Sequence, residues 1–162
     1  MKKNKWIIIL LNLIVLLVYF NYSVLQKEKL LNDGELVLLE LAPVDPRSLM
    51  QGDYMSLRYK ISEDIPYENI TKNGYCIVRL DSNRVAERIR LQENTLPLNK
   101  EEYLLKYKSS DRWNINIGAE SFFFQEGQAN KYEKAKYGAI KIDLYGNSLL
   151  LGLYDEHLKK IE

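Results

Sequence analysis

Polar and apolar positions divide the chain sharply near its start. Residues 6–25, "WIIILLNLIVLLVYFNYSVL", hold no charge between Lys5 and Lys27, and Asn12 is the one strongly polar residue at their centre. A bilayer core of about 30 Å needs about 20 helical residues at about 1.5 Å each, so this run predicts one transmembrane helix. Trp6 at one end and Tyr19 and Tyr22 at the other suit the two interfaces, and Lys2, Lys3 and Lys5 predict a cytoplasmic N-terminus. A cleaved signal peptide is the competing reading. The stretch "VYFNYSVLQ" after Leu17 places bulky residues where small ones are needed for cleavage, and no cysteine follows it for lipidation. An uncleaved anchor is therefore expected, with a buried core helix ranked below both. The predicted organisation is a cytoplasmic tail over 1–5, a transmembrane signal anchor over 6–25, a tether over 26–34 and an extracytoplasmic β-rich domain over 35–162, in the inner membrane of the cell.

Beyond the anchor the pattern changes to short apolar or alternating runs. "ELVLLELAPV" reads as a strand ended by Pro43, and "APVDPRS" as an extended or turning connection, because a residue before proline avoids the helical basin. "YMSLRYKI" alternates, with Tyr54, Ser56, Arg58 and Lys60 on one side and Met55, Leu57, Tyr59 and Ile61 on the other; this is a half-buried strand. Gly52 and Asp53 before it suit a turn, the first by its freedom at positive φ and the second by a carboxylate able to accept backbone N–H groups. "YCIVRL" and "VAERIRLQ" flank "DSNR" as a hairpin, and its second strand alternates too, with Arg88 and Arg90 set among Ile89 and Leu91. "YLLKYK" is assigned to a strand, although Glu101, Glu102 and Lys106 in "LPLNKEEYLLKYK" also suit a helix. "RWNINIGAESFFFQ" predicts a strand bent at Gly118, with Trp113, Ile115 and Ile117 on one face. Residues 125–138 lack β-branched side chains and end at Gly138, which predicts one short helix with Tyr132 and either Ala135 or Lys136 on a shared face. "AIKIDLYGNSLLLGLYD" closes the chain as two strands about a "YGNS" turn. The fold class is mainly β with one short α-helix (α+β): an antiparallel sheet or partial barrel preceded by one N-terminal transmembrane helix.

Composition narrows the function by exclusion. Twenty-three Lys and Arg balance 22 Asp and Glu, so charge gives no support to a nucleic-acid role. The single cysteine, Cys76, has no disulfide partner in the chain and sits in an apolar run, where a small buried filler is the expected reading. His157 lies in the charged "DEHLKKIE", as a solvated residue rather than a base. No metal site, cofactor or catalytic set is predicted.

Gly52-Asp53-Tyr54, Leu57 and Tyr59 reproduce a GDYxxLxY pattern, and "PVDPRSLMQGDYMSLRY" and "FFFQEGQANKYEKAKYGAIKIDLYGNSLLLGL" extend it. In these stretches the chain resembles the GDYxxLxY-motif family of bacterial membrane-anchored proteins. The resemblance implies an envelope domain on one N-terminal helix without an established activity, often encoded beside multi-pass membrane proteins that become candidate partners. It also makes the motif-dense stretches the candidate binding set: Asp53, Tyr54, Arg58 and Tyr59 with Glu126, Tyr132 and Glu133, converging on a pocket.

Two enzyme readings compete with this one. "RSLMQGD" is similar to the "PTLxxGD" that follows the nucleophilic serine of signal peptidases, but the serine position is occupied by Val44. Ser48 stands elsewhere in the pattern, without an assigned lysine or histidine to activate it. An acid-pair hydrolase needs two carboxylates across a cleft, and Asp45, Asp53, Glu120, Glu126 and Glu133 supply candidates without placing any two together. Turn capping is the simpler role for Asp53, and Asp45 with Arg47 suits a local ion pair. The expected function is a non-catalytic accessory or binding domain held in the lipid bilayer by residues 6–25, with an envelope hydrolase or peptidase as the alternative. Phe122, Phe123 and Phe124 alternate sides of any strand, so either both faces are covered, as expected here, or one ring is exposed.

Overall fold

The computed structural model describes residues 2–42, 50–51, 54–110 and 114–162. Helix α1 runs from Lys2 to Asp33, and it is long and apolar enough to cross a membrane. The apolar side chains from Trp6 to Leu25 are exposed throughout, with nothing of the protein packed on them. The segment predicted as a tether is therefore helical up to Asp33. Its last turns dock on the sheet: Leu30 is 8% exposed, Gly34 N–H donates to the Leu30 carbonyl at 3.0 Å, and Lys141 Nζ donates to the Gly34 carbonyl at 2.6 Å. Because the final turn of α1 carries no basic residue, Lys141 supplies from a neighbouring strand the cation that a helix C-terminus favours.

The remainder is mainly β, in three antiparallel three-stranded sheets. The first has the order β1 (Glu35–Glu40), β8 (Tyr137–Ile142), β9 (Ser148–Tyr154). The second has the order β2 (Met50–Gln51), β3 (Tyr54–Ser56), β7 (Ser121–Phe123). The third has the order β5 (Ala86–Gln92), β4 (Asn73–Leu80), β6 (Glu102–Lys108), which confirms the strand assigned to "YLLKYK". Single hydrogen bonds join the sheets. Leu38 N–H donates to the Arg84 carbonyl at 2.9 Å, Lys106 N–H to the Gly146 carbonyl at 2.8 Å, and Ala42 N–H to the Arg58 carbonyl at 2.8 Å. The sheets wrap one core without forming a closed barrel among the described residues. Val37, Leu39, Tyr59, Cys76, Val78, Leu105, Ile115, Ile117, Ile140 and Leu153 meet in it, each buried aliphatic side chain contributing roughly 1.5–3 kcal/mol.

Three turns share one construction. In Asp81–Val85, Asp143–Asn147 and Asp155–Lys159, the first residue's carboxylate accepts the N–H groups two and four positions on, at 2.8–2.9 Å. The fourth residue stands at positive φ in each: Arg84 at 65°, Gly146 at 82° and Leu158 at 59°. This is a type I turn followed by a left-handed residue, which closes a hairpin while matching the strand twist. It explains the "DSNR" and "YGNS" signals, the shared determinant being the aspartate that opens each turn. The regular alternation expected of β5 is interrupted by a register shift: Ile77 pairs with Arg90 and Val78 with Arg88, leaving Ile89 as an extra, exposed residue.

One predicted element is much shorter than expected. In place of a helix over 125–138, α2 covers only Ala129–Tyr132, and Gly138 lies inside β8 rather than at a helix end. Gly127 at φ 80° interrupts the helical path on one side. On the other, pairing of Tyr137–Ile142 with both β1 and β9 claims the backbone. A single turn has few hydrogen bonds to offset nucleation, so its stability comes from packing.

Candidate functional site

The GDYxxLxY stretch separates into parts with different tasks. Gly52 and Asp53 lie outside the described residues, as do Val44, Asp45, Arg47, Ser48 and Trp113. From Tyr54 onward the predicted alternation of burial holds, with Met55, Leu57, Tyr59 and Ile61 buried and Ser56, Arg58 and Lys60 exposed, but the predicted strand ends at Ser56 and Lys60–Ser62 form a turn of 3-10 helix. Tyr59 was expected among ligand-binding residues, but it is 1% exposed and its hydroxyl donates to the Ala119 carbonyl at 2.5 Å. Burial, with a smaller contribution from the Glu120 charge, pushes its phenol well above the usual tyrosine range, so it remains a neutral donor. Leu57 and Tyr59 are thus core residues. Glu120 is a turn acceptor, receiving Ile117 N–H and, at 3.0 Å, Gly118 N–H where the chain bends at φ 83°; in place of the predicted strand before this glycine, the described residues form a single bridge, Asn116 with Lys108.

The three phenylalanines split by strand parity. Phe122 meets Tyr132 edge-on at 4.9 Å between centroids, and Phe124 meets the same ring at 5.4 Å. Delivering Tyr132 to this cluster is what the short α2 accomplishes, and such pairs favour tilted or edge-to-face geometry. Phe123 points the other way, 74% exposed, with Tyr54 beside it at 5.9 Å. The expectation that both faces of this strand are covered is therefore corrected. Tyr54 and Tyr132 lie on opposite faces of the β3–β7 ribbon, since Tyr54 pairs with Phe123 and Met55 with Phe122. Glu126 and Glu133 are exposed beside α2, and Arg58 is exposed on the outer side of the motif strand. The candidate set is not gathered into one cleft among the described residues.

A separate groove of about 460 Å³ lies between the first and third sheets, lined by Glu40, Lys60, Asp81, Glu87, Arg88 and Tyr137 among others. Its charges are largely engaged. Lys60 Nζ stands 3.1 Å from Glu40 Oε2, and Arg88 donates to the Ile61 and Glu63 carbonyls at 2.6 Å each, clamping the loop that follows the motif. Among the described residues no group of three or more His, Cys, Asp or Glu side chains is arranged to hold a metal ion. His157 is exposed, with Nε2 3.5 Å from the neighbouring Glu156 carboxylate. Cys76 is fully buried, and burial pushes its thiol up to about 12, far from a reactive thiolate.

The feature that sequence reasoning left out of the site is Phe123. Its signal was present in the parity of three consecutive aromatic residues, which forces one ring away from its two neighbours. The structure places that exposed ring beside the half-buried Tyr54 on one face of the second sheet.

The motif residues that can be followed are thus mostly scaffold, which is what a pattern defining a whole domain requires. A family model described as GDYXXLXY protein matches residues 16–153, from within α1 to the end of β9. No curated protein and no solved structure matches the chain. With the match spanning most of its length and the motif built into its core, the chain belongs to the GDYXXLXY protein family.

Proposed function

We propose that this is a single-pass protein of the inner membrane of a bacterial cell, with its N-terminus in the cytoplasm and its β-rich domain outside. The domain is a non-catalytic accessory that docks on the extracytoplasmic part of a multi-pass membrane protein through the face carrying Phe123 and Tyr54. One observation carries the reading: an apolar helix exposed along its entire span is continuous with a helical stalk fastened to the domain by Leu30 and Lys141. Lys2, Lys3 and Lys5 support the orientation.

Strand register supports a protein as the occupant of the aromatic face. β1 starts at the helix junction, and beyond its other end Leu41 pairs antiparallel with Tyr59. The motif strand therefore carries Tyr54 onward from the end of β1 that is remote from α1. An aromatic pair there is held away from the bilayer that α1 enters, and aromatic rings are enriched at protein interfaces.

The test combines topology with capture. Protease added to cells stripped of any outer layer should remove a C-terminal tag, while the same tag should be protected if the domain is cytoplasmic, which would refute the orientation. Capture from detergent extract should recover a multi-pass protein with the native chain and lose it with Phe123→Ser. Equal recovery by both would assign docking to another surface, and recovery by neither would overturn the accessory role.

A further inference from the structure

The turn joining β8 and β9 carries two large apolar residues at its tip, Leu144 at 91% exposed and Tyr145 at 71%. The turn is already closed without them: the Asp143 carboxylate accepts Tyr145 and Asn147 N–H, and Gly146 takes the left-handed position. A hairpin tip normally carries small or polar residues. The position of this one gives the exception a meaning.

Glu35 pairs with Ile142, so the turn at 143–147 lies directly past the strand end where α1 joins the sheet. An ideal β-carbon on Gly34 would stand 3.0 Å from the Ile142 carbonyl, and Lys141 bonds the Gly34 carbonyl, so junction and hairpin are in contact. Leu30, five residues after the apolar run ends at Leu25, is already buried against the domain. Five helical residues rise about 7–8 Å, and a headgroup layer is about 5–7 Å deep on each side of the hydrocarbon. The end of the domain that holds this hairpin consequently starts at the outer edge of the headgroups.

We propose that the β8–β9 tip is a second membrane contact, with Leu144 and Tyr145 seated in the lipid interface beside the spanning helix. The proposal rests on the membrane-anchored reading given above and adds lipid as the occupant of this end. A tyrosine with an apolar ring and a polar hydroxyl is suited to the headgroup boundary, and an adjacent leucine adds area to bury. The Phe123–Tyr54 face, by the register already described, belongs to the other end.

The experiment uses the full chain in vesicles of phosphatidylcholine and phosphatidylglycerol, some carrying a nitroxide quencher on the lipid headgroup. Cys76 is buried and leaves an introduced cysteine as the sole labelling site, so an environment-sensitive fluorophore is attached at Leu144→Cys or, for comparison, at Phe123→Cys. Both positions are exposed, which allows the substitutions without repacking the core. The expected result is that the chain floats with the vesicles and that headgroup nitroxide quenches the label at 144 several-fold more strongly than the label at 123. Flotation with equally weak quenching at both positions would overturn the lipid contact while leaving the anchor standing. Failure to float would remove the anchor reading and this proposal with it.

Discussion

The ring of Tyr59 lies against the backbone of Gly138, where an added methyl would come within 2.9 Å of Cε1 and 3.0 Å of the phenol oxygen. The final tyrosine of the motif and the glycine of β8 therefore occupy one shared space. Gly138→Ala is expected to destabilise by about 1–3 kcal/mol through overpacking. Its cost should shrink in a Tyr59→Ala background, the coupling expected of residues in contact. Tyr59→Phe keeps the ring but strands the Ala119 carbonyl, at about 1–3 kcal/mol. Thermal unfolding of the full chain in detergent, followed by near-ultraviolet circular dichroism, measures all three.

Glu102 is a buried carboxylate held by Arg90 through paired contacts of 2.8 and 2.9 Å, with Asn99 donating from backbone and side chain at 3.0 Å. The Arg90 bonds first, and then Asn99, hold it down to about 2 from an ordinary 4.5. The folded pKa is depressed, so the stabilisation is complete above about 4.5 and is lost as pH falls toward about 2. Acid titration of melting temperature should show a decline across this window in the native chain. Glu102→Gln should lower the neutral-pH value and flatten that decline, and an unchanged acid profile would refute the role.

Cys76 predicts the opposite limb. Its thiol is raised from 9.0 to about 12, chiefly by burial, with Arg88 opposing. A raised folded pKa gives stability that is intact below about 9 and is withdrawn as pH climbs toward about 12, because the unfolded chain ionises first. Iodoacetamide should leave the native thiol unmodified at pH 8 and alkylate it fully in denaturant. Rapid native labelling would contradict its place in the core.

The three aspartate-opened turns should respond alike to one substitution. Asp81→Ala, Asp143→Ala and Asp155→Ala each remove an acceptor of two backbone N–H groups, and each should cost about 1 kcal/mol. Gly146→Ala should cost at least as much as Asp143→Ala. It strains a positive φ and brings a methyl within 3.0 Å of Lys106 N, the donor that joins β6 to this turn. Urea midpoints for the four variants give the comparison.

Much of this architecture was legible where a single period governed the residues. The alternation from Tyr54 to Lys60 predicted burial side by side, and the apolar block over 6–25 stood out as a helix long and apolar enough to cross a membrane. Legibility failed where a partner distant in sequence set the outcome. Gly138 carries the signature of a helix end, and only its distant partners, Leu39 and Leu153 in the neighbouring strands and the ring of Tyr59 against its backbone, explain why it is a strand glycine instead. The candidate site divided in the same way: Arg58, Glu126 and Glu133 are exposed as polar residues should be, whereas the burial of Tyr59 and the opposite facing of Tyr54 and Tyr132 depend on the β3–β7 register.

Because α1 runs without a break from the apolar run to Gly34 and is clamped there by Leu30 and Lys141, the domain's compass heading is geared to the helix. On the proposed reading, whatever fixes the azimuth of the helix among its neighbours in the bilayer also aims the distal aromatics. One residue inserted between Gln26 and Lys29 would swing that aim by about 100° while lifting the domain only about 1.5 Å. Four inserted residues would bring the heading back to within about 40° at a height about 6 Å greater, so bearing and elevation are separable by counting residues alone.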